Sequence, residues 1–169
     1  MEKGLSFMLV RFTKNAPAAT ADTLTCVRPD GSTTTGGMPR QGILPHDAFH
    51  FVVETTLGWH DAFFGHVARG AALEDVTAKL HGNSGGWAKL KQALQAEALV
   101  DCLQAGQWAG GADPAEFAQN LIAGCRRRGV EPPDITAEEI DRVRVALREF
   151  GAVWRPLAPG ASLERTFGP

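Results

Sequence analysis

The sequence predicts an α+β fold: a small antiparallel sheet built from both chain ends, packed with a helical middle of about five helices. Three observations predict it. Residues 5–36 are rich in β-branched and aromatic side chains and carry turn chemistry at Pro29-Asp30-Gly31-Ser32. From Pro45 to Val153 the apolar spacing lengthens from two residues to about 3.6, the helical period. Ala161 to Phe167 then alternates again, with Leu163, Arg165 and Phe167 against Ser162, Glu164 and Thr166. The 169 residues are read as one domain, with 1–44 mainly strands and linker, 45–154 helical and 155–169 a return strand.

Each element has a local cause. Leu5 to Phe12 is one strand. Thr23 to Arg28 alternates Leu24 and Cys26 against Thr23, Thr25 and Val27, and Thr33-Thr34-Thr35 resumes extended structure after the turn. The expected hairpin pairs 23–28 with 32–36, with 5–12 beside it. Gly36 to Gly42 reads as a linker. Pro45 suits a first helical position and Gly58 a helix end. Further helices are expected over His60–Arg69, Leu73–Leu80 and Trp87–Ala105, the last closed by Gly106 and burying one face through Leu90, Leu94, Leu99 and Leu103. Residues 81–86 form a Gly-rich loop. Asp113-Pro114-Ala115-Glu116 starts another helix, which ends at Arg126-Arg127-Arg128-Gly129 with cations at its negative end. Thr136-Ala137-Glu138-Glu139 is a capping box opening a helix to Val153. The final strand returns to the N-terminal sheet as an added edge.

Composition excludes several functions. A formal net charge of −2 lacks the basic excess of a protein that neutralises phosphates, so no nucleic-acid partner is expected. No apolar run is long enough to span a bilayer. Phe7-Met8-Leu9-Val10 is too short for a signal-peptide core. The three cysteines, Cys26, Cys102 and Cys125, include no C-x-x-C pair and read as core thiols in a reducing cytoplasm. An exposed edge beside the final strand permits a homodimer.

The chemistry concentrates in one stretch. All five histidines fall between His46 and His81, and four ionisable residues lie in His46-Asp47-Ala48-Phe49-His50-Phe51-Val52-Val53-Glu54. At about 100° per residue, His50, Glu54 and Asp47 fall within about 100° of His46, and apolar residues cover the rest of the helix. Histidines at i and i+4 can chelate one divalent ion such as zinc, and a neighbouring carboxylate can act as acid or base. His46 and His50 are therefore the candidate metal ligands, and Asp47 and Glu54 the candidate catalytic residues. His46 and Glu54 stand about 12 Å apart along the axis, too far to share one ion. Glu54 instead suits a partner role beside His50. A third ligand must come from elsewhere, with His60 or His66 nearest in sequence. The competing reading is a solvated stripe on an otherwise buried helix.

The run Leu44-Pro45-His46-Asp47-Ala48-Phe49-His50-Phe51-Val52-Val53-Glu54, with Leu57-Gly58 and Phe64-Gly65 after it, resembles a group of small bacterial proteins of uncharacterised activity that share an L-P-H-D-x-x-H-x-x-V-E helix. The resemblance implies that this helix is the group's signature. H-x-x-x-H alone is also similar to the H-E-x-x-H helix of zinc hydrolases. Two functions follow as expectations. One is a module that binds a small ligand or a protein partner without complete catalytic machinery, with Trp59, Trp87, Trp108 and Trp154 as contacts where exposed. The other is a metal-binding, hydrolytic domain built on His46 and His50.

Overall fold

The computed structural model describes residues 6–81, 90–108 and 113–168. Four strands, β1 (Met8–Thr13), β2 (Ala21–Val27), β3 (Thr33–Pro39) and β4 (Ser162–Phe167), form one antiparallel sheet in the order β3-β2-β1-β4. The C-terminal strand pairs with β1 from Met8↔Phe167 to Thr13↔Ser162, so the two chain ends meet in the sheet as expected. Period-two alternation turns Met8, Val10, Phe12, Leu24, Cys26, Leu163 and Phe167 to the buried side.

Among the described residues the helices number six rather than about five: α1 (His46–Leu57), α2 (Phe63–Ala68), α3 (Leu73–His81), α4 (Lys91–Trp108), α5 (Pro114–Arg127) and α6 (Ala137–Trp154). Their ends follow the local chemistry. Pro45 is the N-cap of α1, one place before the first helical position, and Gly58 ends that helix at φ 66°, where a Cβ would be strained. Asp113 accepts from the Ala115 amide at the start of α5, and both hydrogen bonds of the Thr136–Glu139 capping box open α6.

Helix α1 is the organising element. It packs against α2, α4 and α6. Phe12 of β1 meets Phe51 of α1 and Phe150 of α6 edge-on, at ring separations of 5.5 and 5.2 Å. That triad ties the sheet to two helices, and each such aromatic pair contributes about 0.5–1.5 kcal/mol beyond its buried area.

Four local expectations are corrected. The linker expected over Gly36–Gly42 begins later, because Gly36 to Pro39 pair with β2 from Leu24↔Gly36 to Ala21↔Pro39. Glycine and proline are tolerated there because β3 is an edge strand with one side unpaired. The helix expected from His60 starts at Phe63, where a remote carboxylate, described below, receives its first amides. Helix α4 runs through Gly106 instead of stopping there. The four leucines, of which Leu90 precedes α4, also do not share a face: Leu94 and Leu99 are about 140° apart on the helix. All four are buried because α4 lies between α1 and α5. The loop at 82–86 and the helix start at Trp87 lie outside the described residues.

Candidate metal centre

The polar stripe of α1 is not a solvated face. His50 and Glu54 are 1% and 0% exposed, and His46 and Asp47 are partly buried. Burying two ionisable side chains completely is costly unless each is paired, so their partners decide what the stripe does.

Glu54 is paired first. Its two carboxylate oxygens accept the backbone amides of Phe63 and Phe64 at 2.9 and 2.8 Å. These are orphan donors at the start of α2, which has no side-chain cap of its own. Gly65 lets this turn close: a Cβ there would lie 1.8 Å from the His60 carbonyl oxygen. Glu54 Oε1 also lies 3.5 Å from His50 Nδ1, a buried atom that makes no hydrogen bond among the described residues. Glu54 thus lies beside His50, one turn along α1.

The two histidines converge on a third residue. His46 and His50 lie one turn apart, with their Nε2 atoms separated by 3.2 Å. Glu97 reaches them from α4. Its Oε1 is 2.7 Å from His50 Nε2 and 3.5 Å from His46 Nε2. The opposite edges of both rings face acceptors: His46 Nδ1 lies 3.2 Å from Gln104 Oε1, and His50 Nδ1 faces Glu54. An amide oxygen can only accept, so His46 Nδ1 carries the proton and its Nε2 presents a lone pair when the ring is neutral. Outer hydrogen bonds of this kind orient metal-ligating histidines.

The electrostatics follow from burial and these contacts. Burial alone would lower the His50 imidazole, but the Glu54 and Glu97 carboxylates outweigh it and push it up to about 10. Burial would raise Glu97, yet hydrogen bonds from His46 and His50 hold it far below the usual carboxylate range. Burial pushes Glu54 above its ordinary value, against His50 and the Phe64 and Phe63 amides. Burial also raises Asp47, against His50 and His46.

The donor atoms fit a small divalent cation. An ion about 2.0–2.1 Å from each of the three atoms would sit about 0.9 Å out of their plane, given edges of 3.2, 2.7 and 3.5 Å. Its ligand–ion–ligand angles would then span about 80–120°, around the tetrahedral value, and would leave one side for a fourth ligand.

The other expected residues lie elsewhere. His60 is exposed and meets the ring of Phe167 at 6.0 Å. His66 is partly buried, and burial lowers its imidazole. Neither joins the group formed by His46, His50 and Glu97. Asp47 does not join that group and lines a groove beside β3. Of the tryptophans offered as contacts, Trp154 is buried and Trp59 packs partly against the core. The side chains of Trp87 and Trp108 lie outside the described residues. Cys26 and Cys125 are buried, and burial pushes the Cys26 thiol up to about 12, as for an inert core residue.

Glu97 was beyond the reach of spacing arguments, because no periodicity links α1 to α4. One signal did point to it. Glu97 sits in Ala93-Leu94-Gln95-Ala96-Glu97-Ala98-Leu99-Val100, a helix apolar nearly all round and therefore buried. A carboxylate in such a helix needs a partner.

Comparison with known protein families, curated proteins and solved structures finds no match to this chain.

Proposed function

We propose that this chain binds one divalent cation, zinc by preference, through His46 Nε2, His50 Nε2 and Glu97 Oε1. One observation carries the reading: these three donor atoms converge with separations of 3.2, 2.7 and 3.5 Å, while both histidines turn their Nδ1 edges to acceptors. With both rings neutral, three lone pairs face one point and require a positive charge between them. A proton shared by His50 and Glu97 satisfies two of the three, whereas a divalent cation satisfies all of them. Two imidazoles and a carboxylate also match the borderline softness of zinc. The cation would neutralise the negative charges of Glu97 and Glu54 together.

The donor set is that of catalytic zinc sites, which keep a fourth position for water or substrate. A hydrolytic role extends the metal reading on that basis. In it Asp47, next in sequence to His46, serves as the acid–base residue, and Glu54 acts as a positioning residue through His50. Three free thiols support a reducing, cytoplasmic setting. Titration of the full chain with Co²⁺ tests the metal reading. The expected result is the intense visible absorption of four-coordinate cobalt, lost in Glu97→Gln and displaced by Zn²⁺. A spectrum identical to aqueous Co²⁺ would overturn it.

A further inference from the structure

We infer that the groove between β3 and α3 is a binding site for a small molecule carrying a primary ammonium group, held against Asp47. The groove has a volume of about 410 Å³, within the range of small-ligand pockets. Its floor is apolar, formed by the buried side chains of Leu24, Phe63 and Leu73. Its charges are of one sign. Asp47 stands in the wall, Glu74 lies on the exposed rim, and no Lys, Arg or His lines it among the described residues.

Asp47 is the informative member. It is partly buried in the groove wall, and its carboxylate meets no hydrogen-bond donor among the described residues. Glu54, the fully buried carboxylate of the same helix, by contrast accepts two backbone amides. A half-buried carboxylate that no protein donor meets stays open to a cation entering from the groove, and a charge-assisted hydrogen bond there is stronger than a neutral one. Beside it runs edge strand β3, whose Thr35, Gly36 and Gly37 line the groove, with Leu73 packed against Gly36. An ammonium group has three donors, enough for Asp47 and neighbouring backbone or threonine oxygens.

The groove adjoins the metal group. Phe63 lines the groove and also packs on the His50 ring at 5.5 Å, and Asp47 follows His46 in sequence. A ligand seated here would therefore lie next to the cation. This role of the groove rests on the metal reading, whereas ammonium binding does not, and the experiment separates them.

The test is titration of the full chain with n-hexylamine, 1-hexanol and hexanoate at neutral pH, followed by amide NMR shifts. It is run on chelator-stripped and Zn²⁺-loaded protein. Hexylammonium is expected to move the amides of Thr35, Gly36, Gly37 and Leu73 and to bind at least about tenfold more tightly than hexanol, with hexanoate weakest. Asp47→Asn should erase the preference for the amine. Ala78→Trp, an exposed substitution on α3 that fills the groove, should block both the amine and the alcohol while leaving the fold and Zn²⁺ uptake unchanged. Equal binding of the three probes, shifts mapping elsewhere, or an amine preference that survives Asp47→Asn would overturn the inference. Amine binding to a chain that takes up no Zn²⁺ would uphold it and sink the metal reading alone.

Discussion

His50 Nε2 and Glu97 Oε1 meet at 2.7 Å across the contact between α1 and α4, with both side chains almost fully buried. Neither residue is accommodated without the other. Glu97→Ala would leave His50 facing an apolar gap and His46 without its second contact. Breaking a buried pair from one side costs about 3–5 kcal/mol. Urea denaturation of the chelator-stripped protein should show a loss of that size, whereas Glu131→Ala, at a side chain outside the group, should change little.

Glu54 joins the histidine pair to the start of α2. Glu54→Gln keeps the shape but removes the charge facing His50, and it replaces one amide acceptor by a donor. Zn²⁺ affinity should fall by about 10–100-fold, as for other outer partners of a ligating histidine. Competition with a chelating dye measures this. An unchanged affinity would mean that Glu54 serves α2 alone.

The pH dependence has a defined sign. In the metal-free chain His50 is raised from an ordinary value of 6.5 to about 10. Its contribution to stability is therefore complete below about pH 6.5 and is lost as pH rises through the folded value near 10. The loss is at most ~5 kcal/mol. Asp47 and Glu54 are also raised, so they act in the same direction at lower pH. Zinc must displace the His50 proton, so its affinity should rise over the same interval. Denaturation midpoints at pH 6.5 and 9.5 should separate the two forms, with the metal-free chain weakening at high pH and the zinc-loaded chain holding.

Gly65 has a steric role. Its Cβ position lies 1.8 Å from the His60 backbone oxygen, so Gly65→Ala must displace the turn that Glu54 caps. Overpacking against backbone costs about 1–3 kcal/mol and sometimes more. A lowered thermal midpoint is expected, while Gly106→Ala, in open space on α4, should leave it unchanged or higher.

Most of the fold was legible in the chain. Strand alternation, the Asp113 cap, the Thr136–Glu139 capping box and the return of β4 to β1 are local signals reinforced by burial. The misread boundaries have long-range causes. Helix α2 begins where Glu54 receives its amides, and β3 extends through two glycines because β2 offers backbone partners. The site was half legible. Helical spacing brought His46, His50 and Glu54 together, but it could not tell a solvated stripe from a buried one. Which of these applies depends on α4, and the sequence of α1 carries no information about α4. Glu97 lies there, and only its apolar neighbours hinted that it is paired.

The proposed cation site joins His46 and His50 of α1 to Glu97 of α4. Calorimetric titration of the chelator-stripped full chain with Zn²⁺ tests it most directly, beside His46→Ala and Glu97→Gln variants checked for folding by circular dichroism. The expected result is one equivalent bound per chain, proton release on binding, and affinity at least about 100-fold weaker in either folded variant. No saturable binding by the unaltered chain, or equal binding by the folded variants, would contradict it.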